Sequence, residues 1–382
     1  MKKILGFYII REIASLFLLG IAVFTLILLM GRLIKLTDLV ISRGVPLGDV
    51  ARMIAFLMPS FLVYTIPMAF LLAVLLAFGR LSVDNEITVM KAGGISLMQI
   101  MPPVLLCGFV AAMLALAAGT LGVPWGNNAF RALSFEVLKQ NVAATIREKV
   151  FWDDIPGIVL YTEHYDEARR TMTGVIIHDG SNSGRPLTIF ASSGTIAAGP
   201  NSRDIGLVLN NGSIHAAGKG GEYRMVQFGE YVMNIDGPDS PSRGGGNEQE
   251  METGELYRQT RNPAVPGQVR LKMASELHSR FALPFASLVF AVLAVPLGMQ
   301  NRRSGKSAGF SVSIGVLLVY YILLSLLKTL AEKGSLPPGL GLWLPNLFFL
   351  ALGWWLLRMA SLEREFPLPS AGDFRRLFRK GH

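Results

Sequence analysis

Six stretches of this chain run without a charged residue: 13–31, 53–79, 92–130, 281–300, 307–327 and 334–357. Each is long enough to cross the roughly 30 Å of a bilayer's hydrocarbon at about 1.5 Å of helix rise per residue. A soluble protein can hide one such run in its core, but not six. With 51% apolar residues, the pattern predicts a polytopic membrane protein. The second run carries Pro59 and Pro67, expected to kink it. The third is expected to leave the membrane near Gly122-Val123-Pro124, where Pro124-Trp125-Gly126-Asn127-Asn128 offers turn residues and an interfacial Trp.

Basic residues set the orientation, because Lys and Arg are retained on the cytoplasmic side. Segments 1–12, 80–91, 301–306 and 358–382 hold fourteen basic residues against six acidic, nearly the whole net charge of +9. Both termini are therefore expected inside, and the long middle segment outside. The N-terminus looks like a signal peptide, but no small-residue cleavage pattern follows residues 13–31, so an uncleaved first span is expected. The basic charge reports topology and calls for no nucleic acid. The organisation read is 1–122 for three spans, 123–270 for an outer domain with a leading helix, and 271–382 for three spans and a basic tail.

Between the second and third runs lies a polar step, with a helix expected at about residues 82–94. Asp84 and Glu86 would occupy its first turn and Lys91 its end, as the helix dipole favours, with Gly93-Gly94 closing it. Ile87, Val89 and Met90 would give an apolar contact face. Either a partner docks there, or the helix is an ordinary amphipathic one on the lipid surface.

From 147 to 236 the periodicity shifts to short β-type runs, nine of them, separated by turn signals such as Asn210-Asn211-Gly212. An all-β sandwich or jelly roll is expected, followed by a flexible linker at 237–254. The segment 123–270 has no cationic surplus, so it is expected to bind something apolar or a partner's sheet edge. Its histidines, His164, His178 and His215, lack metal-ligand spacing, and no metal site is assigned. The single cysteine, Cys107, excludes an internal disulfide. Gly305-Lys306-Ser307 fails as a phosphate-binding loop, since six residues separate it from the preceding glycine, Gly298, where the motif requires four, and no strand leads into it. Arg32 and Lys35 share one face at the end of the first span, as lipid-level functional cations or as side chains snorkelling to the headgroups.

Three spans, an outer β domain and three more spans resemble the permease subunits of the lipopolysaccharide-export ABC transporter, the LptF/LptG family. The most specific match is Glu86-Ile87-Thr88-Val89-Met90-Lys91-Ala92-Gly93-Gly94-Ile95-Ser96, similar to the family's coupling helix. Arg32 with Lys35, Pro124-Trp125, Glu276-Leu277-His278-Ser279-Arg280, Val295-Pro296-Leu297 and the basic turn at Arg302 support it and lean toward the F-type subunit. The resemblance implies an inner-membrane heterodimer with a second permease of the LptG type on a dimer of LptB ATPase subunits. It also implies a single-span jelly-roll partner, LptC, and lipopolysaccharide as substrate. This chain would hold no cofactor, with ATP and magnesium in the partner ATPase. Carried over by position, Glu86, with Asp84, Ile87, Val89 and Met90 beside it, would meet the ATPase, and Arg32 and Lys35 the substrate's phosphates. Gate helices would be the first and fifth spans. There Phe24, Leu28, Leu317 and Tyr321 can touch acyl chains, although interhelix packing accounts for them equally well. Arg131 would be a further cation or part of a solvated face. The competing reading is a membrane-anchored scaffold that recruits periplasmic proteins through its β domain without moving lipid. An intramembrane hydrolase lacks a nucleophile with a base in reach.

Overall fold

The computed structural model describes residues 2–43, 45–145, 148–155, 157–166, 169, 171–180, 187–197, 205–217, 223–235, 248–300 and 306–362. The basic turn at 301–305, the tail at 363–382 and most of the expected linker lie outside them. Two compact units emerge. One comprises Met1–Leu33, Leu57–Asn127 and Asn247–His382, and the other Ile34–Phe56 and Asn128–Gly246.

The helices are α1 (Lys2–Arg43), α2 (Leu47–Val83), α3 (Glu86–Ala92), α4 (Leu97–Ala117), α5 (Val123–Thr145), α6 (Thr253–Arg261), α7 (Gly267–Gln300), α8 (Lys306–Glu332) and α9 (Pro338–Ser361). Among the described residues, six helical stretches, one for each uncharged run, are long and apolar enough to cross a membrane. The third differs from expectation at its end. No turn interrupts it at Pro124, because α4 passes through a π-helical segment, Ala118–Gly122, straight into α5. Pro124 is the second residue of α5, and because the helix is continuous there its missing N–H removes a ladder bond, while the Thr120 carbonyl one turn before it accepts from Thr253 Oγ1 at 3.5 Å. α2 likewise runs through both of its prolines. Pro67 removes the ladder bond to the Val63 carbonyl, and the adjacent Tyr64 carbonyl accepts a hydrogen bond from the Tyr321 hydroxyl at 3.2 Å.

In lipid, apolar side chains gain little by meeting one another, so close packing and interhelical hydrogen bonds decide which helices associate. α2 and α7 form the centre: 72% of the most apolar window of each is buried, against 22% in α1 and in α8. A Cβ at Gly298 would lie 2.9 Å from the Phe78 Cβ, so only glycine admits this approach. Ser82 donates to the Met299 carbonyl at 2.8 Å, satisfying one of the acceptors left over at the end of α7. The buried Tyr320 hydroxyl donates to Asn346 Oδ1 at 2.9 Å, and Asn346 Nδ2 donates to the Ala282 carbonyl at 2.8 Å, joining α8, α9 and α7.

Residues 248–252, expected within the linker, are held in place. Arg280 is 3% exposed and its guanidinium donates to the carbonyls of Glu248 (3.1 Å) and Met251 (2.9 Å) and to Thr253 Oγ1 (2.8 Å).

The second unit holds a small helical cluster of Val45, Val50, Met53 and Val137, together with one antiparallel sheet. Its strands are β1 (Trp152–Ile155), β2 (Ile158–Asp166), β3 (Thr171–Asp179), β4 (Leu187–Ala197), β5 (Ile205–Ala217) and β6 (Tyr223–Ile235), paired in sequential order. The expectation of membrane helices with an inserted all-β part holds, but the nine short strands merge into six longer ones. Asn210-Asn211-Gly212, expected to turn, lies inside β5. The pairs Thr162↔Val175, Ala191↔Gly212 and Gly212↔Phe228 are followed by His164↔Thr173, Ser193↔Asn210 and Asn210↔Glu230. The skipped positions Glu163, Gly174, Ser192, Asn211 and Gly229 form a continuous crease across five strands. Gly174 (φ 62°) and Asn211 (φ 51°) take the left-handed conformation there. The inward parity flips at the crease, since Val175 and Ile177 are buried on one side and Met172 on the other. A sheet folded along this line buries both halves of one face in a single core of Ile158, Leu160, Ile189, Leu207, Leu209 and Met233.

Candidate functional site

Two places in the helical unit gather the residues singled out in the sequence. The first is the α2–α3 step. Asn85 takes the left-handed conformation (φ 60°), which ends α2 and starts α3 at Glu86. Asp84 therefore stands in the intervening turn, its N–H bonded to the Arg80 carbonyl at 2.9 Å, and does not share a first turn with Glu86 as expected. Gly94 closes the helix at φ 79°, its N–H reaching the Lys91 carbonyl at 2.9 Å. The expected apolar face is split. Ile87 is 1% exposed and belongs to the helical core, Met90 packs partly against that core, and Val89 points outward. Residues 87 and 90 are three apart and so share a helix face that 89 cannot.

Glu86 is engaged from within the chain. The Tyr8 hydroxyl of α1 donates to its carboxylate, 2.9 Å from Oε2 and 3.1 Å from Oε1. Arg80 Nη2 donates to the Tyr8 oxygen at 3.1 Å, and Arg80 Nη1 lies 2.9 Å from Glu12 Oε1. A carboxylate has about four acceptor positions, so Glu86 retains capacity for an outside donor.

The second place is a cavity of about 710 Å³ between α1, α2 and α8. Phe24, Leu28, Leu317 and Tyr321 all line it, with Ile27, Met68 and Leu318 among their neighbours. Its wall is apolar except toward one end, where Ser325 and Thr329 contribute hydroxyls. Helical phase explains the gathering: 24 and 28 are four apart, as are 317 and 321, and each pair shares one face. Arg32 lies four residues past Leu28 and is solvent-exposed. The Lys35 side chain lies outside the described residues. Arg131 is half-buried in α5, in the other unit, and has an interaction partner.

Tyr8, Glu12 and Arg80 were not singled out in the sequence, because 72 residues separate Tyr8 from Arg80 and no local pattern joins them. Lys328 was also missed. It lies seven residues beyond Tyr321 on the same helical stripe and pairs with Glu276 of α7 at 3.3 Å. Its signal was its place one residue past an uncharged run. Among the described residues no cluster of His, Cys, Asp or Glu could hold a metal ion.

Comparison with known proteins agrees with this arrangement. The family model for lipopolysaccharide export system permease LptF/LptG matches residues 7–359. The lipopolysaccharide export system permease protein LptF of Escherichia coli strain K12 is 22% identical over 347 residues, covering 90% of this chain and 92% of that protein. An uncharacterized protein, RP871, of Rickettsia prowazekii is 23% identical over 321 residues, covering 82% of this chain and 87% of its own length.

Proposed function

Because the chain belongs to the lipopolysaccharide export system permease LptF/LptG family of multi-pass membrane proteins, we propose that it is the F-type permease of a transporter that lifts lipopolysaccharide out of the inner membrane. Its two termini and α3 face the cytoplasm, and the creased sheet faces the periplasm. As a permease component it is non-catalytic. ATP and magnesium are bound and turned over by LptB subunits acting on α3, with a second permease of the LptG type completing the cavity. The LptC jelly roll receives acyl chains from the sheet and passes lipid toward the outer membrane.

One observation carries this reading: α1 and α8, the least buried of the long helices, border an open apolar groove that ends in hydroxyls. Such a groove suits acyl chains in its body, and Arg32, one turn past Leu28, is positioned to meet the phosphates of an anionic headgroup. The similarity to the E. coli LptF favours the F-type assignment.

A photocrosslinker at Leu28 or Leu317, in the complex reconstituted into vesicles with labelled lipopolysaccharide, tests it. Crosslinks are expected before ATP is added and should fade as ATP drives release. Crosslinks indifferent to ATP, with no lipid leaving the vesicle, would instead identify a scaffold. Leu317→Trp, which fills the cavity, is expected to lower lipid release about tenfold, the cost of one unfavourable packing change of 1–3 kcal/mol. Copurification of the partner subunits should be unchanged.

A further inference from the structure

The Arg80 guanidinium of α2 joins α1 to the turn that leads into α3. Beyond its bonds to Glu12 and Tyr8 of α1, its Nε lies 3.8 Å from Asp84 Oδ2 in the turn before α3. By donating to the Tyr8 oxygen, Arg80 leaves the phenol proton directed at Glu86, the first residue of α3. Tyr8 and Glu12 are four apart and grip Arg80 from one face of α1. The Arg80 side chain is 42% exposed, and ion pairs this open contribute little to stability. What the cluster supplies is geometry.

α1 is a continuous helix of 42 residues without an internal proline, so it can move as a rod. Its middle is fastened to α2. A Cβ at Gly20 would lie 3.1 Å from the Ala69 Cβ and 3.2 Å from its Cα, so the two backbones touch there. Thr25 donates to Thr65 at 3.3 Å nearby. On one side of Gly20, about 18 Å away at about 1.5 Å per residue, stands Tyr8; on the other, about 12 Å away, Leu28 lines the cavity.

We propose that Tyr8, oriented by Arg80, is a positioning residue that ties α3 to α1, so that a displacement of α3 swings α1 about its Gly20 contact and moves the cavity wall at Phe24, Ile27 and Leu28. This rests on the reading of α3 as the surface on which the ATPase acts. The pivot at Gly20 lies against α2, which packs on α7 through Gly298 and Ser82.

The test is Tyr8→Phe, which removes the hydroxyl and keeps the ring. In the reconstituted complex, labelled lipopolysaccharide released per ATP hydrolysed is expected to fall about tenfold, the scale of losing one hydrogen bond to a charged group. ATP hydrolysis and recovery of the ATPase should hold. Unchanged lipid per ATP in this variant, with wild type active, overturns the lever alone, whereas a wild type that releases no lipid on ATP overturns the permease reading beneath it. If Tyr8→Phe does not assemble, spin labels decide, placed at the exposed Ile4 and Ala92 and, separately, at Ile27 and Ile322 of an otherwise wild-type Cys107→Ala chain. Vanadate trapping should leave the Ile4–Ala92 distance constant while the Ile27–Ile322 distance changes. An Ile4–Ala92 distance that shifts by itself overturns the proposal.

Discussion

Replacing Arg280 with methionine is expected to destabilise the protein by about 3–5 kcal/mol, the usual consequence of removing one partner from a buried charged network. The side chain is almost wholly enclosed; its loss strands the Glu248 and Met251 carbonyls that it now satisfies and leaves the Thr253 hydroxyl with its bond to the Thr120 carbonyl. Glu276, 3.8 Å from Arg280 Nε, would keep only Lys328. Equilibrium unfolding in mixed micelles of rising SDS content measures the change. Arg280→Lys is expected to recover less than half of the loss, because a single ammonium cannot fork to three acceptors as a guanidinium does. A methionine variant within about 1 kcal/mol of wild type would mean that residues 248–253 are held by something else, since a net loss that small is what one ordinary hydrogen bond contributes.

Gly212→Val is expected to prevent the sheet from closing. A Cβ at this position would overlap the Phe190 carbonyl oxygen and lie 2.5 Å from Phe228 Cζ and 3.0 Å from the Ala191 Cα. Backbone must move to relieve this, so the cost should exceed the 1–3 kcal/mol typical of overpacking by a side chain. Limited proteolysis of the full chain in detergent is the measurement. Residues 150–235 should become protease-sensitive while the helical unit stays protected. Gly229→Ala is the control, because nothing lies within 4 Å of its added Cβ. Equal sensitivity in both variants would remove the crease as the explanation.

The crease also shows where sequence reasoning reached and where it stopped. The six spans were legible because a bilayer leaves little choice but long uncharged helices. The cavity residues became legible only once the family resemblance pointed to the first and fifth spans; helical phase then explains why 24 with 28 and 317 with 321 point together. The strands were misjudged at Asn210-Asn211-Gly212 for a physical reason. The left-handed conformation that makes Asn and Gly good turn formers also lets a continuous strand reverse its inward parity, and composition alone does not separate the two uses. At the α2–α3 step, Glu86 was legible as a first-turn acid, but the helix was expected from about residue 82, and Asn85's break, which moves its start to Glu86 and excludes Asp84, depends on a single dihedral. The Tyr8–Arg80 cluster was invisible because its members come from three helices and acquire meaning only by packing.

The chain of hydrogen bonds from Tyr320 through Asn346 to the Ala282 carbonyl bears on more than adhesion. A helix surrounded by lipid has no solvent to tell its inner side from its outer, so nothing in its hydrophobicity sets its azimuth. One buried amide, reading a phenol on α8 and a carbonyl on α7, indexes the rotation of α8 the way a key fixes a shaft. Leu317 and Tyr321, flanking Tyr320 on the same turn, inherit their aim from that key, so the identity of the cavity's wall is decided on the far side of the helix from the cavity itself.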